Sequence, residues 1–138
     1  MTAMIESGFK EVSHTADLAV EVWAPDLEEL LRCAAHALYH LLGVKGVSLS
    51  REKLQFSVEL GDDESLLVSF LNELLYFYQQ GGWVWNDFVF TRDADRLIVN
   101  GWCEYLDGES TEIKAATYHR MDIQRTDRGL ETIIVFDV

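Results

Sequence analysis

The sequence predicts an α+β fold: a two-layer sandwich with a mainly antiparallel, partly mixed sheet and two helices packed on one of its faces. Three observations point there. Apolar and polar residues alternate with a period of two over much of the chain, the mark of half-buried strands. Two stretches between well-marked caps switch to a helical period. The strand runs after the second helix are joined by short turns, as antiparallel neighbours are. Two helices are too few to cover both faces of one sheet, so one layer of each is expected. At 138 residues and 49% hydrophobic content, the chain fits a single domain spanning residues 1–138, without repeat, linker or low-complexity segment.

Taken in order, Phe9 to Ser13 and Leu18 to Ala24 read as strands, the second with Leu18, Val20 and Val22 on one face and Ala19, Glu21 and Trp23 on the other. Between them His14-Thr15-Ala16-Asp17 reads either as a plain turn with a surface histidine or as a turn that offers an aspartate oxygen to a hard cation. Asp26 caps the first helix, Glu29 stands at the capping-box position and Gly43 ends it; its apolar stripe is Leu27, Leu30, Leu31, Ala34, Leu38, Leu41 and Leu42. His36 and His40 are four apart, but Ala37 stands where a zinc HExxH motif needs Glu, so they read as helix-end histidines. Leu54 to Leu60 alternates cleanly as a strand. Asp62 or Asp63 then caps a second helix that runs to Gly81-Gly82, apolar nearly all round, with a narrow polar stripe of Ser69, Asn72, Glu73 and Gln80 beside Tyr76.

Trp83 to Phe90 is a strand interrupted at Asn86-Asp87, and its aromatics have no basic residues interleaved, so they read as core rather than as a base-stacking platform. Asp93 to Asp95 turns into a strand over Leu97 to Leu106, and Asp107 to Ser110 turns again. Glu112 to Val138 then reads as two long strands joined at Asp127-Arg128-Gly129. In its first arm Ile113, Ala115, Thr117, His119 and Met121 share one face and Lys114, Ala116, Tyr118 and Arg120 the other. A bulge at Gly129 would turn Asp137 from one face to the other, which leaves its neighbours open.

The net charge of −13 argues against any broad contact with phosphate backbones and favours a basic protein partner or a metal ion. Cys33 and Cys103 form no CxxC and no paired framework, so reduced, buried thiols are expected. No segment has the length of a signal peptide core or a membrane span, so the expected location is cytoplasmic and off the membrane. The phosphate-binding loop, the GxSxG elbow and the Cys/His metal cluster are all missing from the sequence. What is left is oxygen chemistry. Asp137 and the carboxylate of Val138 stand side by side, and either they lie in water as a strand end or they join Asp17 in holding Ca2+ or Mg2+, with Lys114 as a nearby cation or an ordinary exposed lysine.

His14-Thr15-Ala16-Asp17, Ile113-Lys114-Ala115-Ala116-Thr117-Tyr118-His119 and Val135-Phe136-Asp137-Val138 resemble the motifs of the archease family, in matching order over essentially the whole chain. Ser13 stands where members often carry an acid, and Val138 where they often carry Ile. The resemblance implies an accessory protein rather than an enzyme. Archeases activate the GTP-dependent RNA-splicing ligase of tRNA splicing, promoting its guanylylation and multiple turnover. The resemblance further implies that Asp17, Asp137 and Val138 bind a divalent metal, Ca2+ or else Mg2+ or Mn2+. It makes Lys114 the functional lysine, contacting partner or phosphate, with His14 and His119 placed to hydrogen-bond around that set. A chaperone for RNA-modifying enzymes such as a tRNA methyltransferase is the alternative it permits; a metal-dependent hydrolase is the third reading.

Overall fold

The computed structural model describes residues 6–12, 18–44 and 46–138, the side chain of Val47 excepted. Among them run β1 (Gly8–Val12), β2 (Leu18–Ala24), α1 (Leu27–Leu42), β3 (Val47–Glu59), α2 (Asp63–Gly81), β4 (Trp83–Trp85), β5 (Val89–Asp93), β6 (Arg96–Asp107), β7 (Ala115–Thr117), β8 (Gln124–Thr126) and β9 (Gly129–Asp137). The class is α+β and each pairing among the described strands is antiparallel. The strands nevertheless divide into two sheets rather than one. The first has the order β1-β2-β9-β7, with β8 also on β9; the second has the order β3-β6-β4, with β5 also on β6.

Local chemistry sets both helices. Asp26 accepts a hydrogen bond from the Glu29 backbone N–H at 2.9 Å, and Asp62 accepts one from the Ser65 N–H at 2.8 Å, each satisfying an orphan donor of a first turn. Glu29 does not complete the expected capping box; its carboxylate pairs with Arg32 instead. Gly43 and Gly82 end the helices in the left-handed conformation.

Two sheets form because α2 has apolar surface to bury on more than one side. α1 packs on β1, β2 and β9, whereas α2 packs on β7 of the first sheet and on β3 and β4 of the second. Leu66, Leu67, Val68, Phe70, Leu71, Leu74 and Leu75 of α2 are all buried, and all but Val68 join Val20, Val22, Ile134 and Phe136 on one side and Phe56, Val58, Leu97 and Val99 on the other in a continuous core. Phe70 meets Phe88 edge-on at 5.4 Å, and Trp85 stacks parallel to Phe88 at 5.8 Å, so the aromatic run is core. Its interruption sits where expected: the Asn86 N–H donates to the Trp102 carbonyl, and Asp87 accepts from the Trp102 N–H at 2.7 Å.

The first arm of the last hairpin is the largest departure from expectation. It is broken into β7 and β8, and Arg120 between them has φ +62°. Residues 118–123, six in number, stand opposite only three residues of β9, 132–134. Strict alternation cannot survive such a bulge, so Ile113, Ala115, Thr117, His119 and Met121 do not share one strand face. At the turn, Thr126 pairs with Gly129, whose φ is +93°. A Cβ there would lie 2.2 Å from the Ala24 carbonyl oxygen, so only glycine fits.

Candidate functional site at one end of the first sheet

β9 is hydrogen-bonded to β2 on one side and to β7 and β8 on the other, because its run Ile134-Val135-Phe136 is buried on both faces. The register brings three distant segments together. Leu18 pairs with Phe136, and Ala115 pairs with Asp137, so the start of β2, the end of β9 and the start of β7 lie side by side at one end of the sheet. The Lys114 backbone N–H donates to the Asp137 carbonyl at 2.8 Å. Directly paired residues of an antiparallel ladder share a face, so the Asp137 side chain stands beside the single methyl of Ala115 and is not crowded from that strand. Asp137, Val138 and Lys114 are exposed.

His14 and Asp17 lie outside the described residues. Among the described ones, no group of three His, Cys, Asp or Glu side chains is gathered as a metal cluster. Asp137 and Val138 are thus brought beside the Lys114 segment and beside Leu18, the residue bonded to Asp17. His119 is further away along the strand. It sits in the turn after β7, past the Thr117–Val135 pair, its backbone N–H donating to the Thr117 hydroxyl oxygen at 3.3 Å. That hydroxyl in turn donates to the Val135 carbonyl at 2.8 Å, tying the turn to β9.

The edge of β7 away from β9 is held by side chains of α2 rather than by another strand. The Asn72 carboxamide reads both backbone groups of Ala116, accepting from its N–H at 2.8 Å and donating to its carbonyl at 3.3 Å. Gln79 donates to the carbonyls of Ile113 and Lys114, at 3.0 and 3.3 Å. Glu64 accepts from the Ile123 N–H at 3.0 Å. Positions 64, 72 and 79 fall within one narrow arc of a helix turning 3.6 residues per turn, so a single face of α2 fixes the backbone from residue 113 to 123. In the sequence Asn72 falls in the polar stripe of α2 without an evident role, and Glu64 and Gln79 lie outside that stripe. The available signal was three hydrogen-bonding side chains in line on an otherwise apolar helix.

Comparison with known proteins places this geometry in a family. The model of the Archease protein family matches residues 9–138. The chain belongs to the archease family. It is 35% identical over 132 residues to the protein archease of Pyrococcus furiosus, covering 88% of this chain and 91% of that one. With the protein archease of Methanopyrus kandleri it shares 33% identity over 127 residues, covering 86% and 91%. Among solved structures it resembles an archease from Thermotoga maritima, described as a possible chaperone, with TM-score 0.70 and 29% identity over 94% of this chain and 96% of that one. A Methanobacterium thermoautotrophicum protein solved in solution gives TM-score 0.68 at 25% identity, covering 95% and 99%. The archease fold therefore accounts for both sheets and both helices. Among the described residues, no helix is long and apolar enough to cross a membrane.

Proposed function

We propose that this archease-family chain is an accessory protein that activates a GTP-dependent RNA-splicing ligase in tRNA processing in the cytoplasm, promoting ligase guanylylation and multiple turnover while the bond chemistry stays on the ligase. The observation that carries the reading is the register that sets Asp137, the Lys114 segment and the start of β2 side by side at one end of the first sheet.

Asp17, Asp137 and the Val138 carboxylate would hold a divalent cation, Ca2+ or else Mg2+ or Mn2+, because an all-oxygen, anionic donor set suits hard ions. The exposure of Asp137 and the small neighbour Ala115 fit that role. When bound, such an ion supplies positive charge at an otherwise anionic end. Lys114 contacts a phosphate or an acidic ligase residue, and its backbone is set by Gln79 through the Lys114 carbonyl. His14 would supply a hydrogen bond to the set, whereas His119, in the turn past the Thr117–Val135 pair, stands away from it. The net charge of −13 steers the chain to a basic protein surface rather than to RNA alone.

The test is ligation of excess cyclic-phosphate RNA with GTP by the ligase of the same organism, with and without this protein. Stimulated multiple turnover and faster guanylylation are expected. A second reading draws on the Thermotoga structure's description as a possible chaperone: a solubility factor for an RNA-modifying enzyme such as a tRNA methyltransferase. Unstimulated ligation together with suppressed aggregation of the methyltransferase would select it.

A further inference from the structure

We propose that the cavity between the C-terminal ends of α1 and α2 receives an arginine side chain of a protein partner. The cavity has a volume of about 520 Å³ and is walled by Tyr78, Tyr105, Asp107, Glu112, Gln79 and the backbone of Gly81 and Gly82. It is a built feature. The chain from Leu106 to Thr111 that borders it is pinned to both helix ends: the Thr111 N–H donates to the Leu42 carbonyl at 2.8 Å and the Leu106 N–H to the Gly82 carbonyl at 3.1 Å. Tyr78 adds a hydroxyl bond to Ser110 at 2.6 Å.

Its electrostatics select the sign of the occupant. The last turn of α2 carries no basic residue, so the negative end of that helix dipole faces the cavity uncompensated by its own side chains. Asp107 and Glu112 add two carboxylates, and none of the described lining residues is basic. A cation therefore completes the site. Two carboxylates in the wall favour a cation whose fork of donors can meet both, which is the chemistry of guanidinium.

The occupant, though not the cavity, rests on the reading of the chain as a partner-docking activator. Gln79 lines the cavity and also donates to the Ile113 and Lys114 carbonyls, so a partner arginine seated here would lie next to the segment that carries Lys114.

The first arm of the test needs no partner. N-acetyl-arginine amide, or its neutral isostere N-acetyl-citrulline amide, is titrated into the full chain while backbone amide shifts are followed. The arginine probe should shift Gly81, Gly82, Gly108 and Ser110 saturably and the citrulline probe should not. The exposed double variant Asp107→Asn, Glu112→Gln should bind the arginine probe about fivefold more weakly. Equal response to both probes, or shifts spread over the acidic surface and unchanged in the variant, would overturn the site. In the second arm, the variant should need several times more protein for half-maximal stimulation of the ligase, with the maximum unchanged. Probe binding without that change would overturn the partner assignment. A ligase that the wild type does not stimulate would instead remove the proposed function while leaving the cavity result intact.

Discussion

Replacing Asn72 with alanine tests whether α2 holds the β7 segment in place. The substitution removes one accepted and one donated hydrogen bond, both to Ala116, a residue only 4% exposed. A typical internal hydrogen bond contributes about 0.5–1.5 kcal/mol net, and a buried backbone group left unpaired costs about 1–3 kcal/mol. Asn72 itself is half-buried, so water can reach part of the gap. A destabilisation of about 2 kcal/mol is expected, equivalent to about 6–8 °C in melting temperature for a domain of this size. Urea unfolding at constant slope m measures it. Asn72→Asp keeps an acceptor for the Ala116 N–H but loses the donor, and should cost more than wild type and less than alanine. Hydrogen exchange at the Ala116 amide should accelerate in the alanine variant with little change in β2. An alanine variant within about 0.5 kcal/mol of wild type, with the Ala116 amide still protected, would refute the clamp.

Further outcomes follow from the titrating groups. Burial, then the nearby Asp87 carboxylate, pushes the Cys103 thiol up to about 12, and burial also raises Cys33; neither thiol should be alkylated in the native protein near pH 8, and both should react in urea. The Ser65 backbone and hydroxyl hydrogen bonds hold the Asp62 carboxyl below its ordinary value of 3.8. A depressed native pKa means that the unfolded chain binds more protons. The stabilisation is therefore complete above about pH 4 and is lost as pH falls through the native pKa. Asp62→Asn keeps a capping oxygen but cannot titrate, so wild type should lose stability relative to it in urea melts taken from about pH 6 down to about pH 3; a constant difference would contradict the assignment.

Features written in adjacent residues were legible in the sequence. Both helices start at the expected caps and end at the expected glycines, because a cap is an interaction across three residues. β2 runs over the expected Leu18–Ala24. What depends on distant partners was not. β3 begins at Val47, well before the alternation at Leu54, because β6 continues to Asp107 and gives it something to pair with. The hairpin's first arm looked continuous, since nothing in Tyr118-His119-Arg120 announces a non-glycine residue at positive φ. That break also decides the question left open at Gly129: Asp137 ends opposite Ala115. For the candidate site, the segments were visible as motifs, whereas their meeting at one sheet end depends on the position of β9 between β2 and β7. The backbone clamp from α2 was hidden for the same reason, since Asn72 and Ala116 are 44 residues apart in the chain.

The most direct test of the activator reading is multiple-turnover ligation with Asp137→Asn and Lys114→Ala beside wild type, circular dichroism confirming that each variant is folded. Both positions are exposed, so neither substitution should disturb the core. The account predicts that wild type restores turnover and that each folded variant loses most of that stimulation. Full stimulation by both variants would contradict it and would move the working surface away from this end of the sheet.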